Sequence, residues 1–162
     1  MKIINLVVNN KPYELMIGKD IAQSDTLAET LRDKLGLLGT KISCDRGACG
    51  LCTVIVNGQA VLSCTTLTVE CEGANVTTIE GLEDPKTGQL HPLQQSFIDH
   101  TAFQCGFCTP AIIMTVKAFL DENHDPTEEE LKEALSGNFC RCISHYEVLK
   151  AVTAVIKGEK HG

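Results

Sequence analysis

Apolar positions recur at every second residue through the first half of this chain and at helical spacing through the second. Ile4, Leu6 and Val8 alternate, as do Tyr13, Leu15 and Ile17, with Asn9-Asn10 between them as a hairpin turn. Leu27, Leu31 and Leu35 at i, i+4 and i+8 predict a helix over residues 26–35. Thr26 and Glu29 would form its capping box and Gly36 would end it. A second hairpin joins residues 53–56 to residues 60–62 through Asn57-Gly58, a preferred type I′ pair. Residues 75–79 read as one more short strand. Gly81, Pro85, Gly88 and Pro92 mark residues 81–92 as a linker.

Four helices are predicted beyond the linker. Leu93, Phe97 and Ile98 mark the first. Thr109 as N-cap and Pro110 as N1 open the second, with Ile112, Val116, Phe119 and Leu120 on its apolar face. Thr127 with Glu130, and Ser144 with Glu147, are capping boxes for the third and fourth. Leu131, Ala134 and Leu135, then Leu149, Val152 and Ile156, would face inward. The expected class is α+β: a strand domain over residues 1–80 and a helical domain over 93–162.

Composition narrows the function. With 162 residues and 43% hydrophobic side chains, two half-size cores are each marginal. Metal ligation would then add folding energy to each. The net charge of −7 argues against nucleic acid, which needs clustered Lys and Arg. Residues 1–80 carry 7 basic and 9 acidic side chains, and residues 81–162 carry 7 and 12. Much of the acidic excess lies in residues 121–130 and reads as a solvated helix start. No signal peptide is evident, and no apolar run reaches the roughly 18 residues of a membrane span. The expected location is cytoplasmic, where nine cysteines read as metal ligands before disulfides.

Eight of those cysteines form two sets. Cys44-x4-Cys49-x2-Cys52, closed by Cys64, has the plant-type ferredoxin spacing for a 2Fe–2S cluster. Gly47 and Gly50 let the backbone fold tightly with N–H groups toward sulfur, and Arg46 adds positive charge. Three ligands in one glycine-containing loop suit a cluster better than zinc, which usually takes two separated pairs. Cys105-x2-Cys108 with Cys140-x-Cys142 is less specific, and on spacing alone also fits zinc or a redox pair. Cys108 and Cys142 both stand just ahead of predicted helix starts, whose partial positive charge would favour an anionic cluster and raise its potential. Cys71 falls outside both sets and reads as a small buried hydrophobe. His91, His100, His124, His145 and His161 show no ligand-like pairing; His145 neighbours Cys142 and reads as a surface or cap residue.

Three stretches resemble the small iron–sulfur subunit of the molybdenum hydroxylases, the xanthine oxidase family. They are Cys44-Asp-Arg-Gly-Ala-Cys49-Gly-Leu-Cys52-Thr53, Gln104-Cys-Gly-Phe-Cys-Thr-Pro110 and Gly137-Asn-Phe-Cys-Arg-Cys142. The resemblance covers nearly the whole chain. It implies a plant-type ferredoxin-like β-grasp domain followed by a four-helix bundle, each holding a 2Fe–2S cluster on the cysteines above. It also implies a large partner subunit with molybdopterin near Gln104 and Cys142, and an FAD-binding subunit or another acceptor nearer the first set. Departures from the family pattern are Ser43 for Gly, Leu51 for Ala, and Ile143-Ser-His-Tyr146 for Thr-Gly-Tyr.

The expected function is electron transfer in a heteromeric oxidoreductase. Electrons would pass singly from the molybdopterin centre to the Cys105/Cys108/Cys140/Cys142 cluster, then to the Cys44/Cys49/Cys52/Cys64 cluster. This chain would hold no catalytic residue or substrate site. A zinc-stabilised interaction module and a free-standing ferredoxin are the rivals.

Overall fold

The structure, a computed structural model, describes residues 2–158 as a mixed α/β fold with a five-stranded sheet and five helices. His161 lies outside the described residues. β1 (Ile3–Val8) and β2 (Lys11–Met16) form the first hairpin, with Ile4 opposite Leu15 and Leu6 opposite Tyr13. Asn9 and Asn10 turn it at φ 50° and 64°, the left-handed pair that a type I′ turn requires.

The segment expected as a regular helix over 26–35 is only partly one. α1 (Leu27–Glu29) has the expected Thr26–Glu29 capping box, and the chain then widens into a π-helical turn at Thr30–Lys34. The wider turn coincides with a buried polar contact, since the Thr30 and Thr68 hydroxyls meet at 2.6 Å with both residues fully buried.

β3 (Thr53–Val56) and β4 (Gln59–Leu62) form the second hairpin around Asn57 and Gly58, both at positive φ. β5 (Asn75–Thr77) stops short of the expected 75–79, because Ile79–Gly81 winds into a 3-10 turn. β5 pairs parallel with β1 and antiparallel with β3, giving the order β2-β1-β5-β3-β4. Ile4, Leu6, Val8, Leu15, Val54 and Val76 pack against Leu27 and Leu31, and Cys71 is buried in the same core.

The remaining helices are α2 (Pro92–Asp99), α3 (Thr109–Glu122), α4 (Glu128–Leu135) and α5 (His145–Ile156). α2 packs on α5 and α3, and α4 packs on α3 and α5. Leu93, Phe97, Ile112, Val116, Leu131 and Val152 fill the space between them. α3 also lies across β3 and β4, where Met114 and Ala118 cover Ile55. A helix buried on two sides explains why Ala111, Ile113, Met114 and Ala118 join the expected stripe, while Phe119 and Leu120 are only partly buried.

Two helix starts differ from expectation. Cys108, already near-helical at φ −82° and ψ −17°, is the N-cap of α3, so Pro110 falls at the second helical position. The Thr127–Glu130 box forms, but the Ser144 hydroxyl makes no cap bond. Ser144 is exposed. Among the described residues no helix is long and apolar enough to cross a membrane.

Candidate metal centres

The first cysteine set is made by one irregular loop and one turn. Gly47 and Gly50 take φ 72° and 73°, left-handed values that most side chains resist. The loop folds back so that its amides point at sulfur. Ala48 N–H donates to Cys44 Sγ at 3.3 Å, and the N–H groups of Arg46 and Cys49 also reach it. The β3–β4 hairpin then returns the chain to the 3-10 turn Ser63–Thr65, which sets Cys64 beside Cys52. Cys64 N–H donates to Cys52 Sγ at 3.5 Å, and the buried Ser63 hydroxyl donates to Cys52 C=O at 2.6 Å. The thiols thus associate as Cys44 with Cys49 and Cys52 with Cys64, and Cys44 lies close enough to Cys64 to act on its charge.

Electrostatics differ across this set. The N–H of Arg46, then the Cys49 thiol and further N–H groups, bring Cys44 down to about 6. Burial, then contact with Cys52, pushes Cys64 up to about 11. Cys52 and Cys64 are buried, whereas Cys44 and Cys49 are half-buried.

The second set is assembled from two distant segments. Cys105 and Cys108 flank Gly106 at φ 79° and lead into α3. Cys140 and Cys142 follow α4 and precede α5. Cys108 Sγ lies 3.1 Å from Cys140 Sγ, and Cys142 Sγ lies 3.5 Å from Cys105 Sγ. Ile143 N–H donates to Cys140 Sγ at 3.4 Å. Burial pushes Cys108 up to about 12, helped by the adjacent Cys140. Burial also opposes ionisation of Cys140, but the Ile143 N–H, the Cys108 thiol and the Cys142 N–H outweigh it and bring Cys140 below its ordinary value. Contact with Cys105 raises Cys142.

These donors suit a two-iron cluster better than one ion. Two thiolates on one tetrahedral metal, at a bond length of about 2.3 Å, stand roughly 3.8 Å apart. The 3.1 and 3.5 Å pairs are near that separation. The sulfurs stand in pairs, an arrangement that would offer two thiolates to each iron of a 2Fe–2S unit. The Thr109 hydroxyl, next to Cys108, is buried without a partner in the protein, which leaves a donor over for a sulfur acceptor.

The other sequence-singled residues lie around the second set. Gln104, Cys105 and Cys142 are exposed, and the Cys105–Cys142 contact puts Gln104 on the same edge as Cys142. His145 is the exposed first residue of α5. Within residues 143–146, Ile143 is buried, and Tyr146 is exposed under the Lys150 ammonium at 5.2 Å from its ring centroid. Leu51 points away from its own sheet into the helical core.

Sequence reasoning missed the link between the sets. Phe139 N–H donates to Cys49 C=O at 2.9 Å. Asn138 Nδ2 donates to Gly50 C=O at 3.0 Å. Both residues lie in the Gly137-Asn-Phe-Cys-Arg-Cys142 stretch, which is the signal that could have pointed to them. Lys41 adds a second tie, its ammonium 5.9 Å from the Phe107 ring centroid.

Comparison with known proteins matches the chain to two families by region. A 2Fe–2S iron–sulfur cluster binding domain matches residues 11–98, and a 2Fe–2S binding domain matches residues 78–153. The nicotine 6-hydroxylase small subunit of Paenarthrobacter nicotinovorans is 45% identical over 128 residues, covering 79% of this chain and 76% of that protein. The nicotinate dehydrogenase small FeS subunit of Eubacterium barkeri is 42% identical over 154 residues, covering 95% and 94%. Among solved structures, quinoline 2-oxidoreductase from Pseudomonas putida 86 superposes with a TM-score of 0.88 at 39% identity, covering 97% of this chain and 94% of that one.

Proposed function

Because this chain belongs to the family of 2Fe–2S iron–sulfur subunits of the molybdenum hydroxylases, we propose that it carries single electrons between partner-held redox centres. They come from a molybdopterin-binding large subunit, pass through two 2Fe–2S clusters, and go to FAD on a further subunit or to another acceptor. The substrate is handled on the large subunit, in a cytoplasmic hetero-oligomer. The carrying observation is that eight thiols sit in two separate sets and associate in pairs.

Cys44 with Cys49 and Cys52 with Cys64 hold the two irons of the first cluster. Cys105 with Cys142 and Cys108 with Cys140 hold those of the second. Residues 1–80 act as the ferredoxin-like β-grasp unit and 93–162 as the four-helix unit, with 81–92 between. Bound at these sites, a 2Fe–2S cluster supplies a centre that takes up and releases one electron at a time.

The chain's own residues prepare the sites. N–H groups of Arg46, Ala48 and Cys49 favour negative charge on Cys44, and those of Cys142 and Ile143 favour it on Cys140. α3 and α5 begin beside the second set, so their positive ends face it. Buried Cys52, Cys64 and Cys108 keep water away, which strengthens every such contact. Gln104 offers a donor and an acceptor to the pterin beside Cys142.

Metal and sulfide analysis tests the reading. About four irons and about four acid-labile sulfides per chain are expected, with a red-brown colour bleached by dithionite. A colourless protein with stoichiometric zinc overturns it.

A further inference from the structure

We propose that Asn138 is the positioning residue for electron passage between the two cysteine sets, an inference that rests on the two-cluster function above. The residue is 3% exposed, and its carboxamide reaches across to the first set, donating Nδ2–H to Gly50 C=O at 3.0 Å. That carbonyl also accepts the Thr53 hydroxyl at 2.7 Å, so it is gripped from both halves of the molecule. Asn138 N–H in turn donates to Leu135 C=O at 3.0 Å, which fixes the residue to the end of α4. A buried amide held at both ends has little freedom to move.

The adjoining residue completes the link. Phe139 N–H donates to Cys49 C=O at 2.9 Å, and Phe139 is bonded to Cys140. From Cys140 Sγ to Cys49 Sγ the route runs along covalent bonds broken by a single hydrogen bond. Phe139 contributes only its backbone to that bond, and its ring is 62% exposed. Gly50 has no side chain, and a Cβ there would collide with Gly137 C=O. Asn138 thus makes the buried side-chain hydrogen bond next to the Phe139–Cys49 contact, and it holds that amide on the carbonyl together with Leu51, which packs into the helical core.

With both sites loaded as proposed above, Cys105, Cys108, Cys140 and Cys142 would hold the electron donor and Cys44, Cys49, Cys52 and Cys64 the acceptor of a one-electron exchange. No bond would form or break and no proton would move. The proposed molybdopterin centre of the large subunit would be the reductant, and a flavin or equivalent acceptor the oxidant.

Asn138→Ala and the near-isosteric, uncharged Asn138→Leu, which lacks the N–H donor, test this in the whole complex. Leu6→Ala, a change in the sheet core away from the Asn138–Gly50 contact, controls for general loosening. One electron is introduced by pulse radiolysis with methylviologen radical, and its re-equilibration between clusters is followed optically. Magnetic splitting between the reduced clusters is read by electron paramagnetic resonance. Both Asn138 variants should keep full iron and both midpoint potentials, yet re-equilibrate several-fold more slowly and show altered splitting. Leu6→Ala should keep the native rate and splitting. Native rate and splitting in an Asn138 variant loaded with both clusters overturn the proposal. So does loss of a cluster from both Asn138 variants, which would make Asn138 an assembly residue. A wild-type complex holding only one cluster would instead sink the two-cluster function.

Discussion

The two cysteine sets reach a similar donor arrangement by opposite means. The first takes three of its cysteines from nine consecutive residues, and left-handed glycines shape it from within. The second takes two short pairs from either side of α3 and α4, and its shape comes from where α3 and α5 begin. One is a loop that folds around its sulfurs; the other is a gap between helices that packing closes. Exposure follows the same division. The first set buries Cys52 and Cys64 under its hairpin, whereas the second leaves Cys105 and Cys142 on an open edge. A locally built site is robust to changes elsewhere, while a packed one depends on its whole surroundings.

Cysteine substitution presses hardest on this contrast. Cys49→Ser and Cys108→Ser should each lower iron from about four to about two per chain, losing different spectroscopic signals. Cys71→Ala, in the sheet core, should keep the full content. If either ligand change emptied both sets, the sites would be one cooperative unit rather than two.

Gly50→Ala probes the point where the loop is not independent. Its left-handed φ and the collision with Gly137 C=O should together cost about 2–4 kcal/mol of stability, read from the thermal midpoint. An unchanged midpoint would show that the two sets do not bear on each other there. Leu51→Ala should cost about 2–3 kcal/mol and weaken the helical core, although the residue belongs to the first loop. A loss confined to the strand half would contradict that packing.

The smallest expected effect concerns pH at the start of α2. His91 Nδ1 accepts from Leu93 N–H at 3.2 Å. Burial first, then the Lys117 charge, lowers its pKa below the ordinary value. The unfolded chain therefore binds the proton more readily. Stability is fully present above about pH 6.5 and declines as pH falls toward the folded pKa. His91→Asn, which caps without titrating, should flatten that slope in thermal melts between about pH 7 and about pH 5. An equally steep slope in the variant would move the origin elsewhere.

What the sequence made legible follows from range. Both hairpin turns, at Asn9-Asn10 and Asn57-Gly58, depend on two residues each and stand as expected. The Thr26 and Thr127 capping boxes also form. Spacing grouped the eight cysteines because ligand geometry constrains short intervals. Periodicity underestimated α3, since an apolar stripe records one contact face and the sheet covers a second. The Ser144 box matched the pattern, but an exposed hydroxyl had no packing to hold it in place. Leu51 stood out only as a departure, because its partners come from helices far along the chain.

The grip on Gly50 spans 88 residues of sequence. A ribosome adding roughly 5–20 residues per second delivers Asn138 several seconds after Gly50. During that interval all four cysteines of the first set have been synthesised, while the side chain that steadies their loop has not. Iron delivered to a nascent chain would meet a slack loop, and iron delivered after release would meet a braced one. A cluster loaded onto these four cysteines would therefore meet a different loop depending on whether synthesis had reached Asn138.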